Sequence, residues 1–191
     1  MKFILSLMTI LLASGSVWSK LPPLETVKEV NLQTYMGTWY EYALIPNSFE
    51  KKCVADTKAQ YQLLANHQVK VTNTCSLASG ELNVALGNGK LVNATDTSKL
   101  LVSFVKLFGK WIYLFGGDYW IIDLDEHYEV AVVGSPSRKY AWILTRNPQI
   151  ERATLAKIAE KLKAQKFDPC ALRTTIQHGG NQSQQSICNL L

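Results

Sequence analysis

The chain has 191 residues, with 20 lysines and arginines against 15 aspartates and glutamates, giving a formal net charge of +5 at pH 7. The basic residues are scattered, whereas a nucleic-acid-binding surface gathers them into a patch or stripe. We therefore expect no nucleic-acid partner, and only weak attraction to an anionic membrane surface. The length suits one domain with its own hydrophobic core.

Residues 1–19 have the layout of a secretory signal peptide. A positive residue, Lys2, precedes an apolar run over 3–13, and small residues lead to a cleavage point after Ser19. A membrane anchor is the alternative, but a spanning helix needs about 20 apolar residues, and polar residues interrupt this run from Ser14 onward. No cysteine follows the run where a lipid would attach. We expect an exported, soluble protein, either periplasmic or secreted.

Four cysteines follow this segment: Cys53, Cys75, Cys170 and Cys188. An even number of cysteines in an exported chain indicates two disulfides. A zinc site is the alternative, but zinc-binding cysteines usually come in close C-x-x-C pairs, and these are widely spaced. Pairing of Cys53 with Cys75 and of Cys170 with Cys188 is favoured, and a Cys53–Cys170 bridge remains open.

The middle of the chain reads as short β-strands rich in Val, Ile, Tyr, Trp and Thr, separated by turn residues. Strands are predicted over 38–45, 54–64, 68–76, 81–92, 99–105, 111–115, 119–124, 129–134 and 140–145. Closing such a series into a barrel removes its exposed edges, and a two-sheet sandwich is the alternative. We expect an all-β fold, an eight-stranded up-and-down antiparallel β-barrel.

The period changes after the last strand. Over 151–165, apolar residues recur at helical spacing while lysines take the other positions, which predicts one amphipathic helix packed outside the barrel. The expected domain is therefore 20–177. Residues 178–191 form a C-terminal tail, and its part rich in Gly, Gln and Ser, 178–186, is expected to be poorly ordered.

Three segments carry a family resemblance. They are Gly37-Thr38-Trp39-Tyr40-Glu41, the run from Tyr119 to Asp125, and the run from Ala141 to Pro148. Each is a weak signal alone, but in this order they resemble the three conserved blocks of the lipocalin family. The resemblance is strongest to its branch of bacterial outer-membrane lipocalins and apolipoprotein D, and it runs from about Asn31 to Gln177.

The resemblance implies roles for individual residues. Gly37, Trp39 and Arg146 would close the barrel floor, with the guanidinium stacked on the indole, a contact that contributes about 0.5–2 kcal/mol. Tyr61 matches a lining position of the family, and side-chain alternation along strands extends the set. A bulge near Gly116 would reverse the side-chain directions beside it. The predicted lining residues of the cup are Glu41, Ala43, Ile45, Tyr61, Leu63, Val71, Asn73, Phe104, Tyr119, Ile121, Tyr140, Trp142 and Leu144.

A cup of this composition is apolar and aromatic, with Glu41, Tyr61 and Asn73 as its polar groups. It suits a small lipophilic ligand such as a fatty acid or lysophospholipid, and the resemblance implies reversible, non-catalytic binding with no metal or cofactor, by a monomer or homodimer. An interior filled by side chains is the alternative. Two other functions stay open: an enzyme acting on a lipid or isoprenoid, and a protein-binding module with an incidental cup.

Overall fold

The computed structural model describes residues 21–191, so the expected signal peptide and its cleavage point lie outside the described residues. Neither helix within that range has the length and apolar character needed to cross a membrane. The helices are α1 (Leu32–Tyr35) and α2 (Arg152–Ala164). The strands are β1 (Gly37–Leu44), β2 (Cys53–Leu63), β3 (Val69–Leu77), β4 (Leu82–Asn93), β5 (Asp96–Ser103), β6 (Lys106–Leu107), β7 (Lys110–Trp111), β8 (Gly117–Leu124), β9 (Val130–Gly134), β10 (Ala141–Thr145) and β11 (Arg173–Thr174).

Eight antiparallel strands close on themselves in chain order. The sheet runs β1-β2-β3-β4-β5-β8-β9-β10, and β10 pairs back with β1, with Tyr40 opposite Thr145. This closure confirms the barrel and excludes the two-sheet sandwich. The short strand β11 adds to β1 at Ala43 and Leu44, beyond the part of β1 that pairs with β2.

The predicted strand over 111–115 is wrong. Because β5 pairs directly with β8, the intervening residues have no place in the barrel ladder. They form a separate hairpin of β6 and β7, followed by a 3₁₀ turn over Tyr113–Phe115. The Ser103 hydroxyl at the end of β5 donates to the Ile112 carbonyl, 2.7 Å away, and holds the base of this hairpin.

The barrel wall separates two apolar clusters, one inside and one outside. The predicted helix is confirmed as α2, and its Leu155, Ile158 and Leu162 are buried in the outer cluster against Val132 of β9 and Ile143 of β10. Full burial of one such side chain contributes about 1.5–3 kcal/mol. The outer cluster therefore fixes α2 to the β9–β10 wall.

Disulfides join Cys53 to Cys75 and Cys170 to Cys188. The segment 178–186, expected to be poorly ordered, instead makes specific backbone contacts, since the Asn181 carbonyl accepts from the Gln177 amide at 2.9 Å and the Gln185 carbonyl accepts from the Thr174 amide at 2.8 Å. The second bridge then holds a 3₁₀ turn over Ile187–Leu190. Ile187 is fully buried in the outer cluster, and its amide donates to the Leu172 carbonyl at 3.1 Å. The glycine- and glutamine-rich composition reflects the solvent-exposed part of this tail, whereas the tail is anchored by one apolar residue, Ile187.

Candidate functional site

The barrel has a closed end, called here the floor, and an opposite end, called the mouth. Strand β1 starts at the floor, directly after α1, and runs to the mouth. Since successive strands alternate in direction, the loops fall into two sets. The mouth loops are 45–52, 78–81, 104–116 and 135–140, and the floor loops are 64–68, 94–95 and 125–129.

At the floor, Trp39 is completely buried, and its indole Nε1 donates to the Tyr35 carbonyl at 2.8 Å. The Arg146 guanidinium lies over the indole, 3.9 Å from the ring centroid. Gly37 has a φ of +98°, and a Cβ there would stand 3.2 Å from Arg146 Nη1, so glycine suits both the backbone and the approach. The guanidinium donates to the carbonyls of Thr34, Tyr35, Met36, Thr38 and Tyr128.

Three tyrosine hydroxyls form a chain above the floor. Tyr119 Oη lies 2.8 Å from Tyr35 Oη and donates to Tyr61 Oη at 3.1 Å. Burial raises the pKa of all three phenols, so they remain neutral at physiological pH. Sequence reasoning missed Tyr35, because alternation along strands says nothing about a residue in the α1 turn.

Nearer the mouth, two carboxyl groups meet. Glu41 of β1 is buried and accepts from Thr175 Oγ1 at 2.6 Å. Glu50, from mouth loop 45–52, accepts from the indole of Trp142 at 3.1 Å. Burial, and secondly the charge and hydrogen bond of Glu50, raise the pKa of Glu41 well above its ordinary value. The protonated Glu41 carboxyl therefore donates to the Glu50 carboxylate. Sequence reasoning missed Glu50, which precedes Lys51-Lys52 in what reads as an exposed loop.

One acceptor oxygen on the inner face has no hydrogen-bond partner in the protein. Within residues 21–191, Glu50 Oε2 and Asn73 Oδ1 are among five buried side-chain atoms without an ordinary partner. The Glu41 proton accounts for Glu50 Oε2, because Glu50 Oε1 already accepts from Asn47 and Trp142. Asn73 pairs with Ala59, a member of the inner cluster, so its side chain lies on the inner face. An unpaired buried polar group costs about 1–3 kcal/mol, and Asn73 Oδ1 is therefore ready to accept from a ligand.

Most of the predicted lining residues face the interior. Both predicted β8 residues lie inside, so Gly116 introduces no reversal. Phe104 and Tyr140 lie at the rim and are more than one-third exposed; a Cβ on Gly87 would come within 2.8 Å of the Phe104 ring. The predicted residues found in the inner cluster or packed against it are Tyr61, Leu63, Val71, Tyr119, Ile121, Trp142 and Leu144.

Ala43 and Ile45 do not line the cup, and these two predictions are wrong. The β1–β10 register shifts between Glu41 and Ala43, so a bulge at Tyr42 reverses the side-chain directions beyond it. Ala43 and Ile45 belong to the outer cluster. Leu44, opposite the inward-facing Trp142, takes the inner position instead.

Side chains fill most of the interior in this conformation. The inner cavity has a volume of about 20 Å³ and lies beside Tyr35, Tyr61, Tyr119, Val71 and Leu100, with room for about one water molecule. A ligand larger than this must displace side chains as it enters. At the mouth aromatic side chains pack together: the ring centroid of Phe49 lies 5.5 Å from that of Tyr140 and 6.3 Å from that of Trp142.

Sequence comparison finds related proteins across most of the chain. Residues 30–177 match the family model described as a lipocalin-like domain. Temperature-induced lipocalin-1 of Arabidopsis thaliana is 36% identical over 155 residues, covering 81% of this chain and 83% of that relative. The outer membrane lipoprotein Blc of Vibrio cholerae is 36% identical over 149 residues, covering 75% of this chain and 82% of Blc.

More distant similarity extends to animal proteins. Apolipoprotein D of Macaca fascicularis is 31% identical over 163 residues, covering 82% of this chain and 80% of the relative. Among solved structures, insecticyanin from the tobacco hornworm Manduca sexta superposes with a TM-score of 0.65 at 19% identity, covering 82% of this chain and 85% of insecticyanin. The family-model match and the relatives above 30% identity establish that this chain belongs to the lipocalin family.

Proposed function

We propose that this protein binds and carries a small lipophilic ligand in its cup, without transforming it. The hydrocarbon part would lie among Tyr61, Val71 and the other apolar residues of the inner cluster. The polar head would lie beside Asn73. The observation that carries this proposal is an unpartnered buried oxygen, Asn73 Oδ1, on the inner face of a barrel whose lining is mainly apolar and aromatic. A barrel interior that served only for packing gains nothing from this oxygen.

This oxygen also narrows the class of ligand. It is an acceptor, so it favours a head group that donates a hydrogen bond, such as a hydroxyl or an ammonium. A fatty-acid carboxylate has no hydrogen to donate. Among the expected ligands, a lysophospholipid, which has a free glycerol hydroxyl, or a neutral lipid with a free hydroxyl therefore fits better than an ionised fatty acid.

Entry would occur at the mouth. Two residues of loop 45–52 hold it over the opening through Trp142: Glu50 accepts a hydrogen bond from the Trp142 indole, and Phe49 packs against the Trp142 ring. Moving that loop would release Trp142 and open the aromatic rim. The four cysteines are all paired, which removes thiol chemistry and fits an oxidising compartment. We therefore include export, to the periplasm or the medium, in the proposal.

The first test is native mass spectrometry of protein purified from its own exporting host, followed by denaturation and solvent extraction. A stoichiometric lipid released on denaturation would support the carrier function and identify the ligand class. Lysophospholipids, fatty acids and long-chain alcohols of equal tail length are then titrated, with tryptophan fluorescence as the signal. A bare protein mass with no uptake of any lipid would contradict carriage and favour a protein-binding role. Turnover of a bound lipid, lost in Glu41→Gln with the fold intact, would favour the enzyme.

A matched pair of variants tests the head-group site. Asn73→Leu removes the unpartnered oxygen from the inner face. Thr72→Leu, the control, introduces a leucine on the outer face of the same strand. We expect Asn73→Leu to fold at least as stably as the wild type and to lose affinity for donor-headed lipids by roughly tenfold, the worth of one hydrogen bond. Equal affinity in both variants would place the head group elsewhere.

A further inference from the structure

The mouth loop 104–116 exposes an unusual amount of apolar surface. Phe108 is 94% exposed, Leu114 is 86% exposed and Phe115 is 70% exposed, and Leu107 and Val105 are also more than one-third exposed. Single exposed apolar side chains are ordinary, but a contiguous group of them marks an interaction surface. This group lies within thirteen consecutive residues that the barrel ladder does not use.

The tip of the β6–β7 hairpin is conformationally costly. Phe108 and Gly109 connect the two strands, with φ values of +46° and +79°, the arrangement of a tight hairpin turn that Asn-Gly fits best. A bulky side chain in the left-handed region is strained. Phe108 gains little burial within the protein in return. A turn made only for folding would not need phenylalanine here.

The charges around this surface are of one sign. Lys106 and Lys110 are exposed in the hairpin, and residues 104–116 contain no acidic residue. The four mouth loops together hold six lysines and arginines against two glutamates, and Glu50 is one of the two, with its carboxylate turned inward. The floor loops hold three acidic residues and no lysine or arginine. The mouth loops thus carry a net positive charge and the floor loops a net negative charge.

We propose that the hairpin docks the mouth of the barrel onto an anionic membrane surface. Phe108 and Leu107 would enter the interfacial layer, with Trp111 at headgroup level, as aromatic residues commonly are. Lys106 and Lys110 would meet anionic headgroups. A second copy of this chain is a poorer partner, because two such faces would repel each other. Docking of this kind would bring the cup opening to the bilayer, but it does not depend on the cup binding a ligand.

Phe108→Asn separates docking from folding. Asparagine favours the left-handed region, and Asn-Gly is a preferred hairpin turn, so the variant should unfold at the same temperature as the wild type or higher. We expect its affinity for vesicles containing phosphatidylglycerol, measured by sedimentation, to fall about tenfold, since it loses the burial of one phenylalanine. Val92→Asn removes a 55% exposed apolar side chain at the floor end of β4 and should bind like the wild type.

Charge variants complete the test. Lys106→Gln should weaken binding to anionic vesicles about fivefold, whereas Lys157→Gln, on the exposed face of α2, should leave it unchanged. Wild-type binding should be weaker to pure phosphatidylcholine vesicles. Undiminished binding of Phe108→Asn, or equal binding to neutral and anionic vesicles, would refute the proposal. Absence of vesicle binding would also refute the proposal. In that case, a dimer in sedimentation velocity would identify a second copy of this chain as the partner. Lipid uptake from detergent solution, measured separately, tests only ligand binding in the cup and does not depend on membrane docking.

Discussion

Replacing Glu41 by glutamine removes a buried carboxyl whose proton the fold retains. Glu41 is only 5% exposed, and its carboxyl meets Glu50 and the Thr175 hydroxyl. Ionisation would place a second negative charge beside Glu50 in a site with little water. Burial, reinforced by Glu50, therefore raises the pKa of Glu41 in the folded state. In the unfolded chain the same carboxyl titrates near its ordinary pKa of about 4.3.

The raised pKa makes stability depend on pH in one direction. Between the unfolded and folded pKa values the folded state holds one extra proton, so the free energy of unfolding falls by about 1.4 kcal/mol for each pH unit. This contribution is fully present below the unfolded pKa and is lost as pH rises through the folded pKa. Glu41→Gln cannot ionise, and its amide nitrogen can still donate to Glu50. The variant should therefore gain stability relative to the wild type as pH rises.

Urea unfolding, followed by tryptophan fluorescence from about pH 5 to about pH 8, measures this difference. The quantity of interest is the unfolding free energy of the variant minus that of the wild type, because other titrating groups cancel in it. Glu126→Gln, in an exposed floor loop, is the control and should give a difference that changes little with pH. A Glu41→Gln difference that is flat across the range, or that falls as pH rises, would refute the proton-sharing arrangement.

Three other substitutions test the packing of the barrel, each by its unfolding free energy. Arg146→Ala removes the stacking on Trp39 and several charged hydrogen bonds, so we expect the free energy of unfolding to fall by at least about 3 kcal/mol. Arg146→Lys should recover less than half of that loss. Full recovery would contradict the role of the guanidinium geometry. Gly134→Ala places a Cβ 2.7 Å from the Phe167 ring and should cost about 1–3 kcal/mol, largely relieved when Phe167→Leu is added. Tyr119→Phe breaks both hydroxyl contacts of the tyrosine chain and should cost about 1–2 kcal/mol; no loss would mean that the chain is not stabilising.

The sequence predicts the interior well where alternation is visible. From Trp39 to Tyr42 the predicted alternation holds, and it fails at Ala43, directly after the bulge. The reason lies in the residues themselves: the run from Tyr42 to Ile45 is apolar throughout, because both faces of β1 are covered there, one by the cup and the other by the outer cluster. A strand buried on both sides carries no polar alternation. The bulge therefore left no trace in the sequence.

Glu50, in contrast to the predicted polar residues Glu41, Tyr61 and Asn73, was hidden for a different reason. Glu50 reaches the interior through contacts with groups far along the chain, above all Trp142, which is 92 residues away. Its immediate neighbours, Lys51 and Lys52, indicate a solvated loop. The Cys53–Cys75 bridge at the base of that loop was the visible clue, since it ties the start of β2 to β3. Local patterns identify strands and helices, but a residue positioned by a loop depends on tertiary contacts.

The two ends of the barrel are held with unequal strength, and this decides which end opens. At the floor, Arg146 makes several charged hydrogen bonds, each worth about 1.5–3 kcal/mol, and it also stacks on Trp39. At the mouth, loop 45–52 is held by aromatic pairs worth about 0.5–1.5 kcal/mol each and by the indole hydrogen bond to Glu50. Because the interior is nearly filled, binding requires rearrangement, and the rearrangement of lower free energy is at the mouth. The same end carries the basic, apolar loops, so ligand entry and membrane contact would both take place there.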